Sequence, residues 1–223
     1  MILNRLLELF PELYSAFGQT FLMLFISLSI ALLVGIPLGF LIFLSDKDLF
    51  IKNRFVYTSL GTIANLVRSI PYVILLVSLL PFTLFLTGTT IGPVAASVSL
   101  SVAAIPFLAR LVESSLREIP EGILEASVST GANLLLIVRV VLFQEALPGI
   151  ISGITLTTIS LLSYSAMAGI VGGGGIGDLA IRFGYYRYED DIMFFTVAIL
   201  ILLVQLIQWT GDRLRNKFDK RTS

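Results

Sequence analysis

Two residue types that often carry chemistry are missing from this sequence, and their absence narrows the function classes it can serve. Among its 223 residues there is no cysteine and no histidine. Disulfides, thiol nucleophiles, Cys/His metal sites and acid–base catalysis by histidine are therefore excluded within the chain. The 15 basic and 15 acidic residues cancel, whereas phosphate binding needs a clustered basic excess. We therefore expect no enzyme activity, no metal site and no nucleic-acid partner.

Arg68 is the residue best placed for binding chemistry, because it is the one basic side chain well inside an apolar segment. A charge within hydrocarbon is expensive, so such side chains usually face the bundle interior or water. Three roles stay open for Arg68. It could pair with a substrate carboxylate during passage, form a structural ion pair, or extend to one membrane surface.

Tyr164, Ser165 and Met167 lie near the end of a later apolar segment, among small residues. Small residues let membrane helices approach closely, so packing is one interpretation of this segment. The other interpretation is a gate in a translocation path, because methionine is flexible and apolar and can close a pore without a tight fit. In a dimer, the same residue of the second copy would close the other half.

The glycine-rich run at 172–177 formally contains the spacing of a nucleotide-binding loop. However, Asp178 occupies the position where a P-loop needs lysine, and a carboxylate there would repel phosphate. We therefore interpret the run as a tight turn. Without a nucleotide motif, any energy from ATP has to enter through another chain.

The composition indicates whether these residues lie in water or in a lipid bilayer. Hydrophobic residues make up 56% of the chain and charged residues 13%, with a mean hydropathy of +0.95; a soluble domain carries about 25% charged residues. A bilayer crossing takes about 20 apolar helical residues. We predict an all-α polytopic membrane protein with about five transmembrane helices, surrounded by lipid, as a single domain over 1–223. The predicted spans are about 18–44, 55–82, 91–111, 146–171 and 192–210.

The distribution of lysine and arginine between the loops predicts the orientation. One side has only Arg5, Arg182 and Arg187. The other side collects Lys47, Lys52, Arg54, Arg110, Arg117, Arg139, Arg213, Arg215, Lys217, Lys220 and Arg221. Because basic loops stay in the cytoplasm, we expect the N-terminus outside and the C-terminus inside.

The longest polar loop, about 115–145, lies between the third and fourth predicted spans. Pro120 suits a helix start, Glu121 and Glu125 suit its positive end, and Gly131 suits its stop. The loop therefore predicts a short helix–turn–helix at the cytoplasmic side, after which Pro148 is expected to interrupt the start of span four.

Such an element can insert into a groove of a soluble partner, or it can be an ordinary solvated connector. The acidic and basic side chains that alternate along it would suit a polar contact that is made repeatedly. They are Glu113, Glu118, Glu121, Glu125, Arg110, Arg117 and Arg139.

Spaced residues of this loop resemble the EAA loop of ABC importer permeases, which has Glu-Ala-Ala, then a glycine, then a distal Leu-Pro. They are Glu125-Ala126-Ser127, Gly131, Ile137 and Ala146-Leu147-Pro148-Gly149. Further segments resemble the permeases of methionine importers over nearly the whole chain: Arg68-Ser69-Ile70-Pro71, 104–110, 164–169 and Gly184-Tyr185-Tyr186. Two residues depart from the pattern. Ser127 replaces the second alanine, and Gln144 replaces a proline, which should let the second cytoplasmic helix join span four smoothly.

The resemblance implies a permease subunit of an ATP-driven importer, with a coupling helix between spans three and four. The residues it assigns to ATPase coupling are Glu121, Glu125, Ala126, Gly131, Leu147 and Pro148. It implies a homodimer in the bacterial inner membrane, two copies of an ATP-binding subunit that hold ATP and magnesium, and an external substrate-binding protein. No cofactor is expected in this chain. The implied solute is L-methionine, with D-methionine as a further candidate.

Three alternatives stay open. The solute could be another small amino acid, the chain could be an ion-coupled transporter or a channel, or it could be a scaffold that docks a soluble partner without transport. Ion coupling usually leaves Asp, Glu or His inside the spans, and the predicted spans contain none. We therefore favour the ATP-driven importer.

Overall fold

A computed structural model describes residues 2–46 and 50–219, with the side chains from residue 11 onward. Over these residues it contains helices and no strand, so the predicted all-α class is confirmed. The helices are α1 Ile2–Ile30, α2 Ile36–Asp46, α3 Arg54–Ser69, α4 Tyr72–Ser78, α5 Leu80–Thr87, α6 Pro93–Arg117, α7 Glu121–Ser129, α8 Leu134–Leu136, α9 Phe143–Ile170, α10 Gly175–Leu179 and α11 Asp190–Phe218. π-Helical turns continue α1 into α2 (Ala31–Gly35), α8 into α9 (Ile137–Leu142), and extend α10 (Ala180–Tyr185).

Within the described ranges, four helical stretches are long and apolar enough to cross a membrane. They are Pro11–Asp46, Pro93–Arg117, Leu134–Ile170 and Asp190–Phe218. The bent pair α3–α4 makes a fifth crossing if it counts as one span. The polytopic architecture predicted from the sequence is therefore confirmed. Each of the four extends past its predicted span at one end or both.

The second predicted span, 55–82, is not one helix. It is broken after Ile70, where α3 and α4 meet at an angle of 102°. Ile70 has extended backbone, with φ −83° and ψ 125°, because Pro71 disfavours the helical conformation in the residue before it. A second break at Leu79 separates α4 from α5, which ends at Gly88 in the left-handed conformation (φ 73°). The chain therefore changes direction within the bundle immediately after Arg68.

The prediction that Pro148 interrupts the start of span four is also wrong. The helix runs without a break from Leu134 to Ile170, and Pro148 lies inside it. Proline is tolerated in membrane helices where neighbouring helices and local π turns re-satisfy the freed backbone, and here a π turn, Ile137–Leu142, precedes it. The second cytoplasmic helix joins span four smoothly, as expected from Gln144.

Helix α6 is the centre of the bundle, where it packs against α1, α2, α3 and α9. Leu100, Leu108 and Leu116 of α6 are completely buried. The approach of α2 is so close that a Cβ added to Gly39 would lie 2.6 Å from the carbonyl oxygen of Ala109. Because small residues permit such approaches, the α2–α6 contact depends on glycine.

The two ends of the bundle differ in character. At one end, which we call the α7 end, Arg117 at the end of α6 pairs with Asp46 at the end of α2 at 2.8 Å. At the opposite, glycine end, the amide of Gly92 donates to the carbonyl of Gly172 at 2.9 Å. Some basic residues that predicted the orientation lie outside the described residues: Lys47, Lys220, Arg221 and the side chain of Arg5.

Candidate coupling surface and solute groove

The exposed face of α7 carries the first residues predicted for coupling. Glu121, Glu125 and Ala126 all lie on this exposed face, together with Gly122. Ile123 is partly exposed beside them (37%). The face thus combines two carboxylates with small and apolar side chains. We call it the coupling surface; its composition suits insertion into a groove of a soluble partner.

The opposite face of α7 fixes it to the bundle. Leu124 is almost completely buried and belongs to the same core cluster as Ile119, Ile137 and Leu142. Gly131 follows the helix with φ 72°, the left-handed conformation that the sequence predicted for its stop. This core and two short connections attach α7 to the ends of α6 and α9.

Leu147 and Pro148, which the sequence grouped with the coupling residues, lie elsewhere. Both are half-buried in the early turns of α9 and do not share the exposed face of α7. Pro148 instead lines a cavity between α6, α9 and α11. The structure therefore brings Glu121, Glu125 and Ala126 together and separates these two from them.

Three charged residues that the sequence assigned to a repeatedly made partner contact are engaged inside the bundle. Glu113 is buried, and its carboxylate binds Arg110 at 2.5 Å and Arg117 at 2.8 Å. Arg110 also donates to the carbonyl of Gly61 and to Asn65 Oδ1 of α3, both at 3.0 Å. The charges of these three residues are thus already compensated within the bundle, as the burial of Glu113 requires.

This ion-pair network joins three helices at the α7 end. Arg110 connects α6 to α3, and Arg117 connects α6 to Asp46 at the end of α2. Arg110, Glu113 and Arg117 share one face of α6, since their spacing is i, i+3 and i+7, a relation that was not predicted from the sequence. Their partners on α2 and α3 have no sequence signal.

One stripe of α6 borders three cavities that follow one another along the helix. Its residues are Ala103, Phe107, Leu111, Ser114 and Glu118. Spacings of three and four place them on one helix face. The upper cavity is about 140 Å³, the middle one about 390 Å³ and the lower one, at the α7 end, about 270 Å³. We call the stripe and its cavities the α6 groove.

The upper cavity brings together two of the predicted path residues, Arg68 and Tyr164. Tyr164 stacks on Tyr72 with ring centroids 4.6 Å apart and an interplanar angle of 10°. The guanidinium of Arg68 lies 5.7 Å from the ring centre of Phe107. Arg68 also borders the middle cavity. The sequence did not identify Tyr72, although the break that Pro71 produces places it at the start of a new helix.

The other two predicted path residues lie differently. Ser165 is buried, and its hydroxyl donates to the carbonyl of Leu162 in its own helix at 2.7 Å. Met167 is 42% exposed on α9. Neither residue borders the three cavities of the α6 groove.

The lower cavity is polar and is lined by acidic and basic side chains. Carboxylates of Glu118 and Glu145 and the guanidinium of Arg215 line it, together with Pro148 and Asp219. It lies where α6, α9 and α11 reach the α7 end, so the α6 groove ends there among charged side chains.

The first half of the glycine-rich run, residues 172–174, is a turn as predicted, whereas residues 175–177 begin α10. Gly172, Gly174 and Gly175 have φ values of 85°, 77° and 87°, which favour glycine. The amide of Gly175 donates to Gln19 Oε1 of α1. The run is thus structural, and it ties α10 to the first helix.

These features define a class of protein: a polytopic membrane permease with a short helix exposed between two of its crossings. The family model for the binding-protein-dependent transport system inner membrane component matches residues 31–223. The chain belongs to this family, and it is a multi-pass permease subunit of a transport system.

Named relatives extend the comparison. The chain is 47% identical over 209 residues to the probable D-methionine transport system permease protein MetI of Vibrio cholerae, covering 94% of this chain and 93% of the relative. It is 42% identical over 181 residues to the methionine import system permease protein MetP of Bacillus subtilis, covering 81% and 82%.

Solved structures agree with this assignment. The chain resembles an inward-facing MetNI methionine ABC transporter with a TM-score of 0.93 and 41% identity, covering 96% of this chain and 99% of the other. A chain of an amino acid ABC transporter with histidines gives a TM-score of 0.79 at 16% identity, covering 96% and 97%, which shows a common fold alone.

Proposed function

We propose that this chain is the membrane permease of an ATP-driven methionine importer. The observation that carries the proposal is α7, a short helix whose exposed face presents Glu121, Glu125 and Ala126 between two membrane crossings. A short exposed helix in this position suits a soluble partner that moves it. The choice of methionine rests on the relatives and on the MetNI structure, whose names specify that solute.

The assembly we propose contains two copies of this chain, two copies of an ATP-binding subunit and an external substrate-binding protein. ATP and its magnesium bind to the ATP-binding subunits, and this chain holds no cofactor. The α7 end faces the cytoplasm and the N-terminus lies outside, in agreement with the basic residues that gather beyond the ends of α2, α6 and α11.

Mechanically, this chain converts a displacement of α7 into a change of access. ATP binding draws the two partner subunits together and carries α7 with them. Because Leu124 is embedded in the core and Glu113 clamps the ends of α2, α3 and α6, these helices move as one body. Nucleotide then biases a two-state element between inward and outward access.

The path we propose follows the α6 groove, with Arg68 and Tyr164 inside it. Met167, three residues beyond Tyr164 on α9 and outside the three cavities, is the proposed apolar gate residue before the upper cavity. Ser165 supports the gate from within α9, since its hydroxyl bonds to its own helix. Solute entering between the crossings passes the upper cavity and leaves by the lower one at the α7 end.

Reconstitution in vesicles with the partner ATPase and binding protein tests the proposed function. We expect methionine to accumulate only when ATP is supplied. ATP-independent flux would instead establish a channel or an ion-coupled transporter, and assembly without flux would establish a scaffold. Accumulation of a different amino acid would correct the solute and keep the class.

A further inference from the structure

The upper cavity of the α6 groove contains a cation without an acidic partner among the described residues. Arg110 and Arg117, which line the middle cavity, are neutralised by Glu113 and Asp46. Arg68 is exposed, and its guanidinium lies 5.7 Å from the ring centre of Phe107. An uncompensated charge within a membrane crossing is costly unless it serves a passing ligand or reaches water.

The wall opposite this cation is aromatic and held in place. The rings of Tyr72 and Tyr164 stack nearly parallel, and the hydroxyl of Tyr72 lies 3.1 Å from Ser99 Oγ on α6. Tyr72 is 6% exposed and is thereby fixed, whereas Tyr164 is half-buried and borders the cavity. Val67, Ile70 and Leu75 add aliphatic side chains to a lining in which polar atoms also face the cavity.

The break in the second crossing explains how these groups meet. Arg68 lies in the last turn of α3, and Tyr72 begins α4 after a bend of 102°. A straight helix would place residues four apart on one face, one above the other. The bend changes this relation, and Arg68 and Tyr72 line one cavity together with Ala103 and Phe107 of α6.

We propose that this cavity is a binding station for a single amino acid with an unbranched apolar side chain. Arg68 binds the α-carboxylate through its two-pronged guanidinium. The side chain lies against Tyr164 and Phe107, and a thioether gains from contact with aromatic rings. The inference rests on the proposed function and deepens it, because it names the residues that hold the solute within the membrane.

The size and charge of the station define its specificity. Its volume of about 140 Å³ leaves room for a small solute. With a cation and no facing carboxylate among the cavity's lining residues, the station prefers a solute with a free carboxylate. A lost guanidinium–carboxylate interaction corresponds to a tenfold weaker binding or more, since charged hydrogen bonds contribute about 1.5–3 kcal/mol.

The test is equilibrium binding of labelled L-methionine to the permease–ATPase complex in lipid nanodiscs, with the binding protein omitted. We expect Arg68→Gln to weaken binding at least tenfold and Arg68→Lys to weaken it less. Arg54→Gln, an exposed position at the start of the same helix, should leave binding unchanged. Equal binding by the wild-type and Arg68→Gln complexes overturns the inference, as does the absence of saturable binding to the wild type.

Methioninol, which has the same side chain and an alcohol in place of the carboxylate, keeps the inference testable if the Arg68 variants fail to assemble. It should compete at least tenfold less well than methionine for the wild-type complex, and equal competition contradicts the assignment to Arg68. Failure here is distinguishable from failure of the proposed function, because ATP-dependent accumulation by the wild type is measured separately and with the binding protein present.

Discussion

Gln19 on α1 accepts a hydrogen bond from the backbone amide of Gly175, 156 residues away along the chain, at 2.8 Å. Its neighbour Thr20 accepts from the amide of Ile176 at 3.0 Å. The first amides of a helix have no partner within the helix, and in α10 two of them are satisfied by side chains of α1. The glycine end of the bundle is thus joined through polar contacts in an apolar setting.

Replacement of Thr20 by valine removes one of these acceptors without changing the shape of the side chain. The buried amide of Ile176 then loses its partner, so we expect the unfolding free energy of the purified protein to fall by about 1–3 kcal/mol. The matched control is Thr158→Val, since Thr158 only donates to Ile154 O in its own helix. Denaturant unfolding in detergent measures both, and equal stability of the two variants contradicts the role given to Thr20.

Glu113→Gln removes the carboxylate that pairs with both Arg110 and Arg117. Removal of one partner of a buried pair costs about 3–5 kcal/mol. Because Arg117 retains 37% of its side-chain exposure, we expect a loss on the order of 2 kcal/mol. Glu118→Gln changes an exposed carboxylate on the same helix end and should cost little. Surface substitutions usually change stability by no more than about 0.5 kcal/mol. If the stability of Glu113→Gln lies within that range of the control, the ion pairs of Glu113 do not stabilise the fold.

Gly39→Ala tests the close contact of α2 with α6. The added Cβ would lie 2.6 Å from Ala109 O and 2.7 Å from Val112 Cβ, so the helices must separate, and overpacking costs about 1–3 kcal/mol. Gly18→Ala adds the same methyl group where nothing lies within 4 Å. It should leave stability unchanged or raise it by up to about 1 kcal/mol. Thermal unfolding distinguishes the two, and a tolerated Gly39→Ala would contradict the packing argument.

Elements with a local cause could be predicted from the sequence, and those with a tertiary cause could not. Helix α7 and its stop at Gly131 followed from Pro120, the acidic first turn and a glycine at the right distance. Two prolines show the limit. Pro71 breaks its crossing and Pro148 does not, because the packing around each decides whether the freed backbone groups find partners.

The candidate site shows the same division. Arg68 was recognisable because a lone charge in an apolar segment is conspicuous in any sequence. The partner of Tyr164 was not, since Tyr72 is distant along the chain and reaches Tyr164 only through the bend after α3. Likewise Asp46 and Asn65, which complete the network of Glu113, belong to other helices and have no pattern that connects them to α6.

Transport is expected to depend on the coupling surface in a way that separates docking from folding. Ala126 is exposed on α7, so Ala126→Arg leaves the core intact while it places a long cation where a partner's groove must close around the helix. Ile51→Arg adds the same side chain at an exposed position outside α7, in the loop between α2 and α3.

The measurement that tests this most directly is ATP-dependent accumulation of methionine in vesicles containing the partner ATPase and binding protein. We expect Ala126→Arg to accumulate methionine at least tenfold less than the wild type, and Ile51→Arg to accumulate it at a near-normal rate. Undiminished accumulation by Ala126→Arg would contradict the assignment of α7 as the element through which ATP hydrolysis in the partner drives transport.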